Sequence, residues 1–244
     1  MSVEVGRRVF VGSVVTGLPL LVGGGAQLAW AQRSGGTARV QDPVVSQLLA
    51  DMKQAVRGLS KAPSGEHTRR LASSLRLLSA WGASNQFDAR VKDTLRGVVA
   101  REGREALLRR TADPAAFKAE ASELGFDRTS AVPLPPVASD DYATRERIVN
   151  DLLANGVTAR WTRLAEALEI SATAMDRQAS TRSRGITLVA QVDPGCAMIQ
   201  EQLNYLGVQM AFWCAPWFWW VPEPCALATS AYLGVWAAEW WRGC

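Results

Sequence analysis

Apolar residues recur at spacings of three and four along most of this chain, the period of a helix with one buried face. The first stripe is Val45, Leu48, Leu49, Met52, Val56 and Leu59, introduced by Asp42-Pro43 as N-cap and first-turn proline and closed by Pro63-Ser64-Gly65. A second helix, about 66–81, presents Leu71, Leu75 and Leu78. A third starts near Asn85 with Phe87, Val91, Leu95 and Val98 inward, and its pattern continues to Arg110 through Gly97 and Gly103. Asp113-Pro114 restarts a short helix through Phe117, Ala121 and Leu124, which Gly125 stops. Asp140 or Asp141 then caps a helix ending at Asn155-Gly156. The next runs from Thr158 to about Gln178, with Trp161, Leu164, Leu168 and Met175 on one face.

The last fifty residues repeat the pattern in a more apolar register. Ile199, Leu203, Leu206, Met210 and Trp213 form a stripe between Cys196 and Cys214, and a second helix is predicted from Cys225 to about Arg242. Between them, the prolines at 216, 222 and 224 forbid a continuous helix. Two helices of near-equal length folded antiparallel bring Cys214 to Cys225 at the turn and Cys196 to Cys244 at the open end. Four cysteines allow three pairings, and this nested one fits the register.

The chain is therefore expected to be all-α: a bundle of about six amphipathic helices with a C-terminal, disulfide-stapled, Trp-rich helical hairpin. Its expected organisation is a signal peptide at 1–31, a linker at 32–41, a helical domain at 42–184 and the Cys/Trp-rich α-hairpin at 185–244. Ala131 to Val137, with three prolines, reads as a long extended loop. Ser180 to Arg184 reads as a polar break, and Ile186 to Val192 has strand-like residues with no obvious partner strand.

Charge and composition change the picture at the two ends. The net charge is +4, yet from Gly185 onward Arg242 stands alone against Asp193, Glu201, Glu223 and Glu239. The basic excess belongs to the N-terminus and the middle helices, while the tail holds seven of the ten tryptophans. At the N-terminus, Arg7-Arg8 is followed by a Gly-rich apolar run, and Ala29-Trp30-Ala31 supplies a small-x-small cleavage pattern before Gln32. Residues 1–31 resemble a bacterial twin-arginine signal peptide, which implies export to the periplasm or the exterior, where disulfides persist. A general secretory signal or an uncleaved membrane anchor is the alternative for the same residues.

Catalytic and cofactor signatures are lacking. The cysteine gaps are 17, 10 and 18 residues, unlike the close pairs of zinc, haem or thioredoxin-like motifs, so no metal and no cofactor is expected. The single His67 lies at a helix start with no nucleophile elbow in the chain. Asp140-Asp141 suits a helix N-terminus better than acid–base work. There is no phosphate-binding loop, and the run Arg101 to Arg110 alternates with Glu102 and Glu105 as on a solvated helix. Export also argues against a nucleic-acid partner.

One cluster carries a functional expectation. Trp213, Trp217, Phe218, Trp219 and Trp220 lie within eight residues at the hairpin turn, more indole than a short turn can bury on itself. They pack on the helical domain, sit in a membrane interface, or bind a glycan or another protein. If the segment is extended, Trp220 points inward, with Trp217 and Trp219 outward. Leu203 to Pro222 is uncharged over twenty residues, but its prolines oppose a clean membrane span. The leading expectation is an exported, non-catalytic binding or structural protein. The alternative is a precursor that releases its C-terminal hairpin near Ser180 to Arg184, a layout similar to some secreted antimicrobial-peptide and toxin precursors. An enzyme of unknown class comes third.

Overall fold

The computed structural model describes residues 42–111, 113–127, 129–135, 142–183, 194–218, 220–221 and 223–243. These form nine α-helices and no strand: α1 (Pro43–Leu59), α2 (Gly65–Ser84), α3 (Phe87–Glu102), α4 (Arg104–Arg109), α5 (Pro114–Glu123), α6 (Tyr142–Asn155), α7 (Thr158–Ser183), α8 (Pro194–Trp213) and α9 (Pro224–Arg242). All nine belong to one compact unit, Arg39–Cys244. The expected signal residues Arg7, Arg8, Ala29 and Ala31 lie outside the described residues, as do the linker, Asp140, Asp141 and the strand-like stretch at 186–192.

Two helix starts follow the capping chemistry read from the sequence, whereas α3 and α9 begin after Gln86 and Glu223 without a side-chain cap. The Asp42 carboxylate accepts from the backbone N–H of Val44 and Val45, and Asp113 accepts from Ala115 and Ala116, each with proline in the first turn. Ser64 caps α2 by accepting from the His67 N–H. Two boundaries differ from expectation. Gly103, at φ +82 and ψ 158, divides the predicted long third helix into α3 and α4. Ser180 to Ser183 is helical instead of a break, with Ser180 and Thr181 returning their hydroxyls to the carbonyls of Asp176 and Arg177 one turn back. The hairpin turn contains a 3-10 helix at Pro216–Phe218, so the condition of an extended segment is not met there.

The predicted stripes form the core. Val45, Leu48, Leu49, Met52, Val56 and Leu59 are all buried, as are Leu71, Leu75 and Leu78 of α2 and Phe87, Val91, Leu95 and Val98 of α3. α2 packs most extensively on α7, antiparallel, with Thr68 against Met175 at one end and Ser79 against Thr158 and Thr162 at the other. Ion pairs Arg69–Asp176 and Arg76–Glu169 line the seam, exposed and worth little each.

The α8–α9 hairpin is central. From Gln202 to Trp213 every residue is buried except the half-buried Asn204, and from Leu227 to Glu239 every residue except the half-buried Trp236. A helix apolar all round needs neighbours all round, and α9 finds them in α8, α1, α7 and α5. Gly234 permits the closest approach: a Cβ there would lie 2.4 Å from Leu71 Cδ2 and 3.0 Å from Val56 Cγ2. Trp241 Nε1 donates to the Leu59 carbonyl at 2.6 Å, tying the end of α9 to the end of α1.

Candidate functional site

The hairpin turn is built by proline and clasped by sulfur. α8 ends because Pro216 cannot donate the next helical hydrogen bond. Ala215 N–H turns back to Phe212 O at 2.9 Å, and Val221 N–H to Phe218 O at 2.9 Å. Cys214 and Cys225 form a disulfide across this turn with their Cα atoms 4.3 Å apart. No described cysteine is free. Cys196 lies in the first turn of α8, and its expected partner Cys244 lies outside the described residues.

A turn with roughly three residues per rotation repeats faces every third residue. Ala215, Phe218 and Val221 take the inner side and are buried. Phe218, 1% exposed, thus belongs to the core and not to an outer contact face. Trp217 and Trp220, also three apart, are both half-buried and packed against the core, so the alternation expected of an extended segment does not occur. Trp219 lies outside the described residues.

Trp220 is held from three directions. Its ring meets Phe87 edge-on at 5.3 Å and Phe218 at 6.0 Å, and its Nε1 donates to Thr94 Oγ1 at 3.2 Å. Phe87 also contacts Trp81, Trp161 and Trp213 at 5.4–5.6 Å, joining α2, α3, α7, α8 and the turn in one aromatic cluster. Such contacts add about 0.5–1.5 kcal/mol each beyond area burial.

The outer rings of the turn carry arginines. Arg90 Cζ lies 4.1 Å from the centre of the Trp220 ring, and Arg110 Cζ 5.3 Å from that of Trp217. Arg90 reaches Trp220 because Phe87, Arg90 and Thr94 share one face of α3 at spacings of three and four. Arg110 follows α4 directly, and its carbonyl and that of Leu108 both accept from Nη1 of the buried Arg145 at 3.2 Å. Arg145 therefore fixes the backbone from which Arg110 extends. Arg90, Arg101 and Arg110 make no ion pair with any described residue, whereas Arg104 pairs with Glu146 and Arg109 with Glu105. The run Arg101 to Arg110 is thus only partly the self-paired surface its composition suggests. Arg90 escaped the sequence reading altogether; its closeness to Phe87 on a helix face was the one available signal.

The remaining candidates sort quickly. Half-buried His67 packs on Gly58, with no hydrogen-bond partner for its buried Nδ1. Among the described residues no group of three or more His, Cys, Asp or Glu is placed to hold a metal ion. A shallow pocket of about 250 Å³ lies between Ser64, Arg69, Asp176 and Trp241. Among the described residues no helix is long and apolar enough to cross a membrane. Trp240 and Leu134 are exposed at 46% and 41%, beside Trp236, whose Nε1 donates to Pro133 O at 2.7 Å.

No protein-family model matches this chain, and neither a curated protein nor a solved structure does so.

Proposed function

We propose that this chain is an exported, non-catalytic binding protein whose contact surface is the disulfide-clasped tryptophan turn. The observation that carries the reading is the pair Arg90–Trp220 and Arg110–Trp217: two half-buried indoles covered on their outer rings by guanidinium groups that have no carboxylate partner among the described residues. Arg104 and Arg109, on the neighbouring α4, are by contrast matched by Glu146 and Glu105. Export accounts for the Cys214–Cys225 bond, since structural disulfides persist outside the cytoplasm, and agrees with the twin-arginine-like N-terminus.

Retention of the whole chain is favoured over release of its tail. Gly234, Trp241 and Arg242 of α9 lock into Leu71, Leu59 and Ser171 respectively. The proposed release stretch up to Ser183 is part of α7. Removing the hairpin would strip the bundle of its central layer. Fractionation of producing cells, followed by intact-mass spectrometry, tests the reading. The expected result is a chain running from about Gln32 to Cys244 outside the cytoplasm, four hydrogens lighter than its fully reduced mass. A C-terminal fragment alone would establish the precursor reading, and full-length precursor confined to the cytoplasm would refute export.

A further inference from the structure

We infer that the arginine-framed turn docks on an anionic lipid surface; this rests on the turn being a binding surface, and adds what it binds. A neutral sugar recognises tryptophan by stacking on an open ring, but Arg90 and Arg110 already occupy the outer rings of Trp220 and Trp217. Displacing them would forfeit a cation–π contact for each sugar gained. What these guanidinium groups lack is an anion, and their planar forks match phosphate oxygens two at a time.

On α3, α4 and the Arg110 that follows them, seven basic residues stand against four acidic ones, Asp88, Asp93, Glu102 and Glu105. Arg101 continues the Arg90–Thr94 face of α3, about 16 Å further along by helical rise, and also lacks an ion-pair partner among the described residues. Asp93 is already paired with Arg96. Between Cys214 and Cys225 the one acidic residue is the exposed Glu223. Indoles with adjacent arginines are the composition of a membrane interface, with rings at headgroup depth and cations on phosphate. The half-burial of Trp217 and Trp220 limits insertion, and no described helix is fit to span a bilayer. The contact is therefore peripheral, carried by charge and positioned by the indoles.

The test is co-sedimentation of the oxidised chain with vesicles of phosphatidylcholine alone or of phosphatidylcholine mixed with phosphatidylglycerol. Binding is expected only to the mixed vesicles, and is expected to fall steeply with added salt. Arg90→Gln with Arg110→Gln should weaken it about 25-fold, from about five-fold per arginine. A charge-matched control, Lys61→Gln with Arg177→Gln, should change it far less. Melting temperatures of both double variants keep a folding defect from passing as lost affinity. Inorganic phosphate should not compete; full competition would reveal a single-phosphate site and overturn the lipid surface. Equal binding to neutral vesicles, no binding to either, or an unaffected Arg90/Arg110 variant would also overturn it. If neither vesicle binds but an envelope protein is captured by wild type and not by that variant, the lipid inference falls and the binding turn stands.

Discussion

Asp88 of α3 caps the N-terminus of α7 across the bundle, holding Thr158 by both its backbone and its side chain. One carboxylate oxygen accepts from the N–H groups of Val157 and Thr158 at 2.6 and 3.1 Å, and the other takes the Thr158 hydroxyl. A helix usually finds its N-cap in the residue just before it; here that residue is Val157, whose side chain has no oxygen to accept, so the remote aspartate takes the role, with Gly156 at φ +79 one place further back. A Cβ on Gly156 would lie 2.4 Å from Asp88 Cγ.

Removing this cap should destabilise the bundle without touching the tryptophan turn. Asp88→Ala is expected to cost roughly 1–3 kcal/mol, and Asp88→Asn less, since an amide oxygen still accepts. Gly156→Ala should cost at least as much, from the clash and the positive φ together. Urea unfolding of the three variants checks the order. An Asp88→Ala variant as stable as wild type would remove the cross-bundle cap from the account.

Trp220 should matter to stability more than its half-exposed surface suggests, because it joins the turn to α3. Trp220→Ala loses contacts with Phe87 and Phe218 and the indole hydrogen bond to Thr94 Oγ1, whose hydroxyl still donates to the Arg90 carbonyl; a loss of about 2–4 kcal/mol is expected. Trp220→Phe keeps the ring contact and loses only the indole hydrogen bond, about 1 kcal/mol. Thermal melts would read the difference. Equal losses in the two variants would mean that the hydrogen bond, not the aromatic cluster, holds the turn.

Most helices were legible because each writes its own period: a stripe such as Leu71, Leu75 and Leu78 needs no knowledge of its partner. The hairpin was legible for the same reason, with cysteines marking the two sides of its turn. What failed were local competitions decided by neighbours. Gly103 cuts α3 from α4 where the apolar pattern continues, and Ser180 to Ser183 stays helical where its polarity suggests a break. The turn's geometry was hidden because Pro216 excludes an α-helix without choosing between extended and 3-10 backbone. Arg90 and Arg110 were hidden for a different reason: each meets a tryptophan more than a hundred residues away, and no spacing rule spans that distance.

The Cys214–Cys225 bond closes a short loop around the turn, separation 11, and should contribute roughly 3 kcal/mol by restricting the unfolded chain. Cys214→Ser with Cys225→Ser is expected to lower the melting temperature and to raise iodide quenching of Trp217 and Trp220. Peptide mapping without reduction should recover Cys214 linked to Cys225, and Cys196 linked to Cys244. A Cys196–Cys214 peptide would refute the nested hairpin.

Glu239 offers the sharpest pH prediction. It lies on α9 at 5% exposure with Oε2 unpartnered, and burial pushes its carboxyl above the usual range. Its neighbour two turns back, Tyr232, is pushed up to about 12 by burial first and by Glu239 second. Arg242, one turn on, directs Nη1 to Ser171 Oγ at 2.8 Å. A carboxyl raised by folding prefers its neutral form in the fold. Below its ordinary value, about pH 4, folded and unfolded chains are both protonated and the group adds no pH dependence. As pH climbs from there to the raised value, the unfolded chain releases a proton that the folded chain retains, so stability falls; above the raised value the loss is complete. Glu239→Met, similar in volume and without the charge, should therefore match wild type near pH 4 and exceed it at neutral pH by roughly 1–3 kcal/mol. Guanidinium unfolding at several pH values reads this directly. A gain that stays constant from acid to neutral pH would trace to packing, and would show that Glu239 carries no ionisation penalty in the fold.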